Sequence, residues 1–215
     1  MQKIVGLFGG TFDPVHNGHT HTISYLLGII PFEKILVIPN LKPPHREKLE
    51  VSFDHRYKMV SLAFKDIERT VVDNRESLRP GPSYSIDTVK DVITEEGNAK
   101  VIFIIGSDSF EDFPTWYKWE ELIKLVDFIV MKRPEHKLSK RNIVYDLLNK
   151  INSVEGFLND FKKKNFLEVE VIPLKISSSL VRKNISNGKE IEDLVNPSVN
   201  SYLKENGLYG PKKSS

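Results

Sequence analysis

The sequence predicts an α/β protein: a Rossmann-like, doubly wound parallel sheet with helices on both faces and further helices at the C-terminal end. Three observations carry that expectation. Short apolar runs alternate with segments of roughly ten or more residues whose apolar positions follow helical spacing, the pattern of βαβ units. The runs are near-continuous rather than alternating, as expected of strands buried on both faces. Two of them, Lys3–Phe8 and Val101–Ile105, end directly in glycine, which lets a ligand approach the backbone at the carboxyl end of a strand.

The elements follow in order. Lys3–Phe8 (KIVGLF) is the first buried strand, and His19–Ile30 a helix with Ile23, Leu26, Leu27 and Ile30 on one side. Ile35–Ile38 is a second strand, stopped by Pro39. Asp54–Ile67 is a helix presenting Met59, Leu62, Ala63 and Ile67. Thr70–Asp73 is a weaker strand, and Ser85–Glu95 a helix through Val89, Val92 and Ile93. Val101–Ile105 (VIFII) is the strongest strand signal. A short helix carrying Trp and Leu precedes the strand Phe128–Met131.

Residues 135–165 are expected to form a helical excursion, with Leu147, Leu148, Ile151 and Val154 at helical spacing. It ends on Lys162-Lys163-Lys164, read as a solvated helix end whose cations suit the dipole, with a basic contact surface as the alternative. Val169–Leu174 returns to strand, and Ser177–Asn187 and Pro197–Asn206 are helices, with Gly207 at a C-cap. One domain over residues 1–210 with a frayed tail at 211–215 is the expected organisation.

Composition excludes several functions. The 215 residues suit one large domain. A net charge of +2 gives no basic field for a nucleic-acid polymer. A 40% hydrophobic content argues against disorder. The absence of cysteine removes disulfides, thiolate metal sites and a cysteine nucleophile. No apolar stretch approaches the roughly 18 residues of a spanning helix. Met1-Gln2-Lys3 leads straight into a strand rather than a signal sequence, so a cytoplasmic location without membrane association is expected.

Two segments carry chemistry. The first strand runs into Gly9-Gly10-Thr11-Phe12-Asp13-Pro14-Val15-His16-Asn17-Gly18-His19, with a helix following. Its glycines allow close backbone approach, and the helix N-terminus supplies N–H groups and a positive dipole end for phosphate. His16 and His19, three apart, can donate to phosphate oxygens from one side. Metal ligation by the pair is the alternative, but it lacks the HExxH spacing and a third ligand. The second segment, Ile176-Ser177-Ser178-Ser179-Leu180-Val181-Arg182, opens a helix with serines that can cap it. The same serines, with Arg182 as a cationic clamp, can instead hold an anion. Neither a P-loop nor a G-x-G-x-x-G fingerprint is present.

Together these segments resemble the signatures of the HxGH nucleotidylyltransferase superfamily. Pro39-Asn40, Pro43-Pro44-His45-Arg46, Pro82-Ser83-Tyr84-Ser85, Ile105-Gly106-Ser107-Asp108-Ser109, Phe113-Pro114-Thr115-Trp116-Tyr117, Lys132-Arg133-Pro134 and Asn206-Gly207-Leu208-Tyr209 narrow the likeness. From residue 4 to 209 the chain resembles the bacterial nicotinate mononucleotide adenylyltransferases. It departs from them at Ser179, where Thr is commoner, and at Thr20, where Leu is usual.

The resemblance implies transfer of AMP from ATP to nicotinate mononucleotide, giving deamido-NAD and pyrophosphate without a covalent intermediate. It implies catalytic roles for His16, His19 and Arg182. Gly9, Gly10, Thr11, Phe12, Gly106, Arg133, Ile176 and Ser178 would join those three around ATP, which carries Mg²⁺. The mononucleotide would meet Lys42 and His45 on a loop shared with Arg46, Asp108 at a ribose hydroxyl, and backbone N–H groups of Ser85 and Tyr117 at the carboxylate. Trp116 would stack on the pyridine ring, unless it is a hydrophobic plug. The competing readings are the same reaction on nicotinamide mononucleotide, a related transferase acting on phosphopantetheine or using CTP, and a non-catalytic nucleotide-binding module. A homo-oligomer is compatible with all of them.

Overall fold

The computed structural model describes residues 2–44, 49–132, 143–160, 164–171 and 174–211. Among them are seven strands: β1 (Ile4–Gly10), β2 (Lys34–Pro39), β3 (Thr70–Val72), β4 (Lys100–Gly106), β5 (Asp127–Lys132), β6 (Asn149–Ile151) and β7 (Asn165–Glu170). The helices are α1 (Asn17–Ile29), α2 (Phe53–Phe64), α3 (Ser85–Glu96), α4 (Ser107–Glu111), α5 (Trp119–Leu122), α6 (Ile143–Leu147), α7 (Val154–Asn159), α8 (Ser178–Ser186) and α9 (Pro197–Glu205). Every strand pair is parallel, in the order β3-β2-β1-β4-β5-β7-β6. The predicted Rossmann-like α/β architecture is the one observed.

Successive strand residues face opposite sides, so each apolar run feeds two cores. On one face Ile35, Val37, Ile102, Ile104 and Ile129 pack with Ile23 and Leu26 of α1, Met59 and Val60 of α2, Val181 of α8 and Leu203 of α9. On the other, Leu7, Leu36, Phe103, Ile105 and Phe128 meet Val89 and Val92 of α3, Phe110 of α4 and Leu122 of α5. Burial on both faces is why these runs show no polar alternation.

Two expectations need correction. The 135–165 segment is not a helical excursion throughout: between α6 and α7 the chain forms the edge strand β6, paired with β7 from Asn149↔Asn165 to Ile151↔Leu167. A helix would put Leu148 and Ile151 on one side. Here Leu148 enters one core and Ile151 packs against the other, while Leu147 is exposed. The later strand starts at Asn165 rather than Val169, because the Asn165 N–H donates to Asp127 at 3.0 Å and Phe166 and Leu167 are buried. Lys162 and Lys163 lie outside the described residues; Lys164 is exposed.

A buried ion pair fastens the amino-terminal ends of β4 and β5. Lys100 and Asp127 stand 2.9 Å apart with side chains 6% exposed, and Lys100 also donates to the Phe157 carbonyl at 2.6 Å. That further bond offsets part of the desolvation that a buried pair must overcome.

The strand order places the candidate site. From β1 the sheet grows one way through β2 and the other way through β4, and open α/β sheets bind ligands at the carboxyl ends of strands at such a reversal. The β1–β4 pairing ends at Phe8↔Ile104. Beyond it, Gly10 still pairs with β2 and Gly106 with β5. The two strands therefore part between Gly9-Gly10 and Gly106.

Candidate active site

At that split, residues 11–16 lead from β1 to α1. Their carbonyls are held from outside the loop. Arg56 of α2 donates to the Thr11 carbonyl at 2.7 Å, Arg182 of α8 to the Asp13 carbonyl at 2.5 Å, and Ser178 Oγ to the Pro14 carbonyl at 2.8 Å. Carbonyl oxygens repel phosphate, so binding them to donors lessens that repulsion and ties the loop to α2 and α8. The Asp13 carboxylate, 2% exposed, accepts from the Glu50 N–H at 3.2 Å and from the Tyr209 hydroxyl at 2.6 Å. Burial, then the bond to Asp13, pushes the Tyr209 phenol well above its ordinary pKa. Asp13–Pro14 is a cis peptide bond.

His16 is the N-cap residue of α1. The His16 and His19 rings stack with centroids 3.8 Å apart, and the His16 N–H donates to His19 Nδ1 at 3.1 Å. That bond leaves Nδ1 without a proton, so neutral His19 carries its hydrogen on Nε2, where it can donate to an anion. Phe12 is 2% exposed and meets His19 edge-on at 5.0 Å. Its side chain is part of the wall, leaving its backbone for any nucleotide contact. Gly18 leaves room for the His16 ring: a Cβ there would lie a tight 3.0 Å from the Cε1 and Nδ1 atoms of His16.

At the β4 side, the Asp108 carboxylate lies over Gly106, where a Cβ would stand 2.6 Å from Oδ1. Asp108 thus remains beside the split, at the start of α4. Ile176 packs partly buried against the core below α8. Ser177, not Ser178, caps that helix by accepting from the Leu180 N–H at 3.1 Å.

Of the other residues expected at the mononucleotide, Lys42, Ser85, Trp116 and Tyr117 lie in the segments that follow β2 and β4 and at the start of α3. Ser85 opens α3, with a first-turn N–H that the helix itself cannot use. The neighbouring Tyr84 ring pairs with that of Tyr117 at 4.3 Å between centroids. Trp116 rests edge-on against Phe103 at 6.1 Å and on Phe113 at 5.1 Å while remaining partly exposed. It is anchored as a plug, and the exposed part of the ring leaves stacking open. Lys42 is tied through its N–H to Ser83 Oγ at 3.0 Å, and its carbonyl accepts from the Ser83 N–H. His45, Arg46 and Arg133 lie outside the described residues.

Sequence reasoning missed Arg56, Glu76 and Ser83 as supporting residues. Arg56 is fully buried and spans two loops, donating to Thr11 and to the Leu41 carbonyl. A signal existed: it lies three residues before Met59 and seven before Ala63, on the apolar side of α2. Glu76 accepts from the Asn40 side chain, the Leu41 N–H and Thr88; nothing local in its sequence indicated this.

Glycines at a strand split, paired imidazoles, an arginine and helix N-termini define a nucleotide-handling protein, and the cytidylyltransferase-like family matches residues 7–184. A relative from Pseudomonas paraeruginosa, named a probable nicotinate-nucleotide adenylyltransferase, is 35% identical over 97% of this chain and 98% of its own. One from Shigella boydii with the same name is 34% identical over 97% of this chain and 100% of its own. The chain belongs to the nicotinate-nucleotide adenylyltransferase family of nucleotidyltransferases. Its fold matches that of Plasmodium falciparum nicotinic acid mononucleotide adenylyltransferase complexed with NaAD (TM-score 0.75, 21% identity, 97% of this chain and 98% of that one). The same enzyme complexed with APC gives a TM-score of 0.74 at 20% identity, with the same coverage.

Proposed function

We propose that the chain joins ATP and nicotinate mononucleotide, giving deamido-NAD and pyrophosphate. The observation that carries this reading is the convergence of His16, His19, Ser178 and Arg182 on the one loop that leaves β1 at the sheet's split. An oxygen of the mononucleotide's 5′-phosphate attacks the α-phosphorus of ATP in line. A new P–O bond forms, the α–β bridging bond breaks, and its electrons leave with pyrophosphate. No group need bond to the protein, because positioning and charge stabilisation supply the rate.

In this reading His19 donates from Nε2, and His16 from the ring stacked on it, to phosphate oxygens whose charge grows in the transition state. The α1 N-terminus and the Gly9–Thr11 backbone hold the same anion, with Phe12 as the wall behind. Arg182 and Ser178 flank the leaving pyrophosphate, while Ile176 seats the segment that carries them. Gly106 and Arg133 serve the adenosine side, and Asp108 accepts from a ribose hydroxyl of the mononucleotide. Ser85 and Tyr117 present N–H groups to the nicotinate carboxylate and Trp116 its ring, while Lys42 and His45 meet the mononucleotide from their loop.

The donor set at the loop is N–H, imidazole, hydroxyl and guanidinium, which suits an anion rather than a bare cation. It fits a Mg²⁺–triphosphate held by its phosphate oxygens, and when bound the ion neutralises charge on the leaving group. Among the described residues no helix is long and apolar enough to cross a membrane. Cytoplasmic location, one domain over residues 1–210 and no nucleic-acid partner complete the proposal.

The test is pyrophosphate release from ATP and Mg²⁺ with either mononucleotide. Rapid release with the nicotinate form and slow release with the nicotinamide form are expected. Preference for nicotinamide would reverse the carboxylate assignment, and release with neither would overturn the enzymatic reading.

A further inference from the structure

Tyr209 is 196 residues away in sequence from the loop it touches. Its backbone adopts φ +59°, and its ring packs against the sheet core after α9 ends. From there the hydroxyl reaches the buried Asp13 carboxylate at 2.6 Å. Asp13 has two roles at once. Its side chain receives Tyr209 and the Glu50 N–H, and its carbonyl receives Arg182. A shift of this residue therefore moves the loop and the guanidinium together. We infer that Tyr209 is a positioning residue for nucleotidyl transfer, acting through Asp13 to fix the phosphate-binding loop and Arg182. This rests on the reaction proposed above.

The physical reason is pre-organisation. Donors that stabilise transition-state charge are effective only when already in place, and a small displacement costs rate more than substrate binding. Losing the phenol leaves a carboxylate oxygen at a 2% exposed position with one donor fewer. The peptide that carries the Arg182 contact then has an alternative position to visit.

The test is Tyr209→Phe, which keeps the ring and its packing. Its kcat is expected to fall about tenfold, with KM for both substrates within about twofold, as for an interaction realised mainly in the transition state. In an Arg182→Lys background the same change is expected to cost under about threefold, because coupled sites are not additive. A merely structural Tyr209 would lower the melting temperature and leave kcat of the folded enzyme intact. Should the variant melt early, the assay is run about 15 °C below its own midpoint, where it is fully folded. Wild-type kcat under those conditions, or equal losses in both backgrounds, overturns the inference while the functional reading stands. A wild-type chain that releases no pyrophosphate with either mononucleotide overturns both.

Discussion

The main-chain N–H of His16 donates to Nδ1 of His19 while the two imidazoles stack at 3.8 Å. One bond between the candidate catalytic histidines thus sets the tautomer of the second, with its ring hydrogen on Nε2. His19→Ala is expected to fold normally and lose about 10²–10³ in kcat, the usual effect of deleting one donor from a pre-organised electrostatic site. Steady-state pyrophosphate release measures it; a near-normal kcat would reject the phosphate role.

Gly18→Ala separates stability from activity. Alanine favours a helix over glycine by about 1 kcal/mol, so the melting temperature should hold or rise. The added Cβ would stand 3.0 Å from the His16 ring, which must give by a few tenths of an ångström. A fall in kcat of about tenfold or more is expected, as for other losses of catalytic geometry. Unchanged kcat would show that the ring's position is unimportant.

Trp116 is anchored on Phe103 and Phe113 but remains partly exposed. Trp116→Ala should raise KM for the mononucleotide far more than KM for ATP, since base–aromatic stacking is worth about 1–3 kcal/mol. Equal effects on both substrates would assign the ring to the core alone.

The Lys100–Asp127 pair lies at the other end of the sheet from the candidate site. Asp127→Ala leaves a buried ammonium without its carboxylate, which costs about 3–5 kcal/mol. Urea unfolding should show that loss, while kcat well below the melting transition stays at the wild-type value.

Tyr209 gives a pH prediction. Its folded-state pKa is raised by burial and by Asp13, so the unfolded chain ionises first. Its contribution to stability is present below the unfolded value of about 10 and is lost as pH rises above it. The gap in unfolding free energy between wild type and Tyr209→Phe should therefore narrow above about pH 10, since phenylalanine cannot ionise. A gap independent of pH would reject the hydrogen-bonded phenol.

Much of this protein was legible in its sequence because the signals are local. Apolar runs such as Val101–Ile105 mark strands buried on both faces, and a glycine at the end of such a run marks an approachable backbone. Serine before α8 and glycine after α9 serve as caps, as their chemistry predicts. Histidines three apart at a helix start fall at the N-cap and third helical positions, where the extended backbone of His16 lets the two rings stack.

Only the tertiary structure decided three other matters. Leu148 and Ile151 fit a helical spacing, yet pairing with β7 sends them to opposite cores, since edge-strand formation depends on a partner that local periodicity does not contain. The parting of β1 from β4 beyond Phe8 and Ile104 is a property of sheet order, not of either run. The bonds that hold the loop between β1 and α1 come from Arg56, Ser178, Arg182 and Tyr209, at separations of 45, 164, 169 and 196 residues. The sequence by itself thus marked the residues proposed to bind phosphate. Their common position was decided by long-range polar contacts, because each buried donor and acceptor had to find a partner wherever folding brought one within reach.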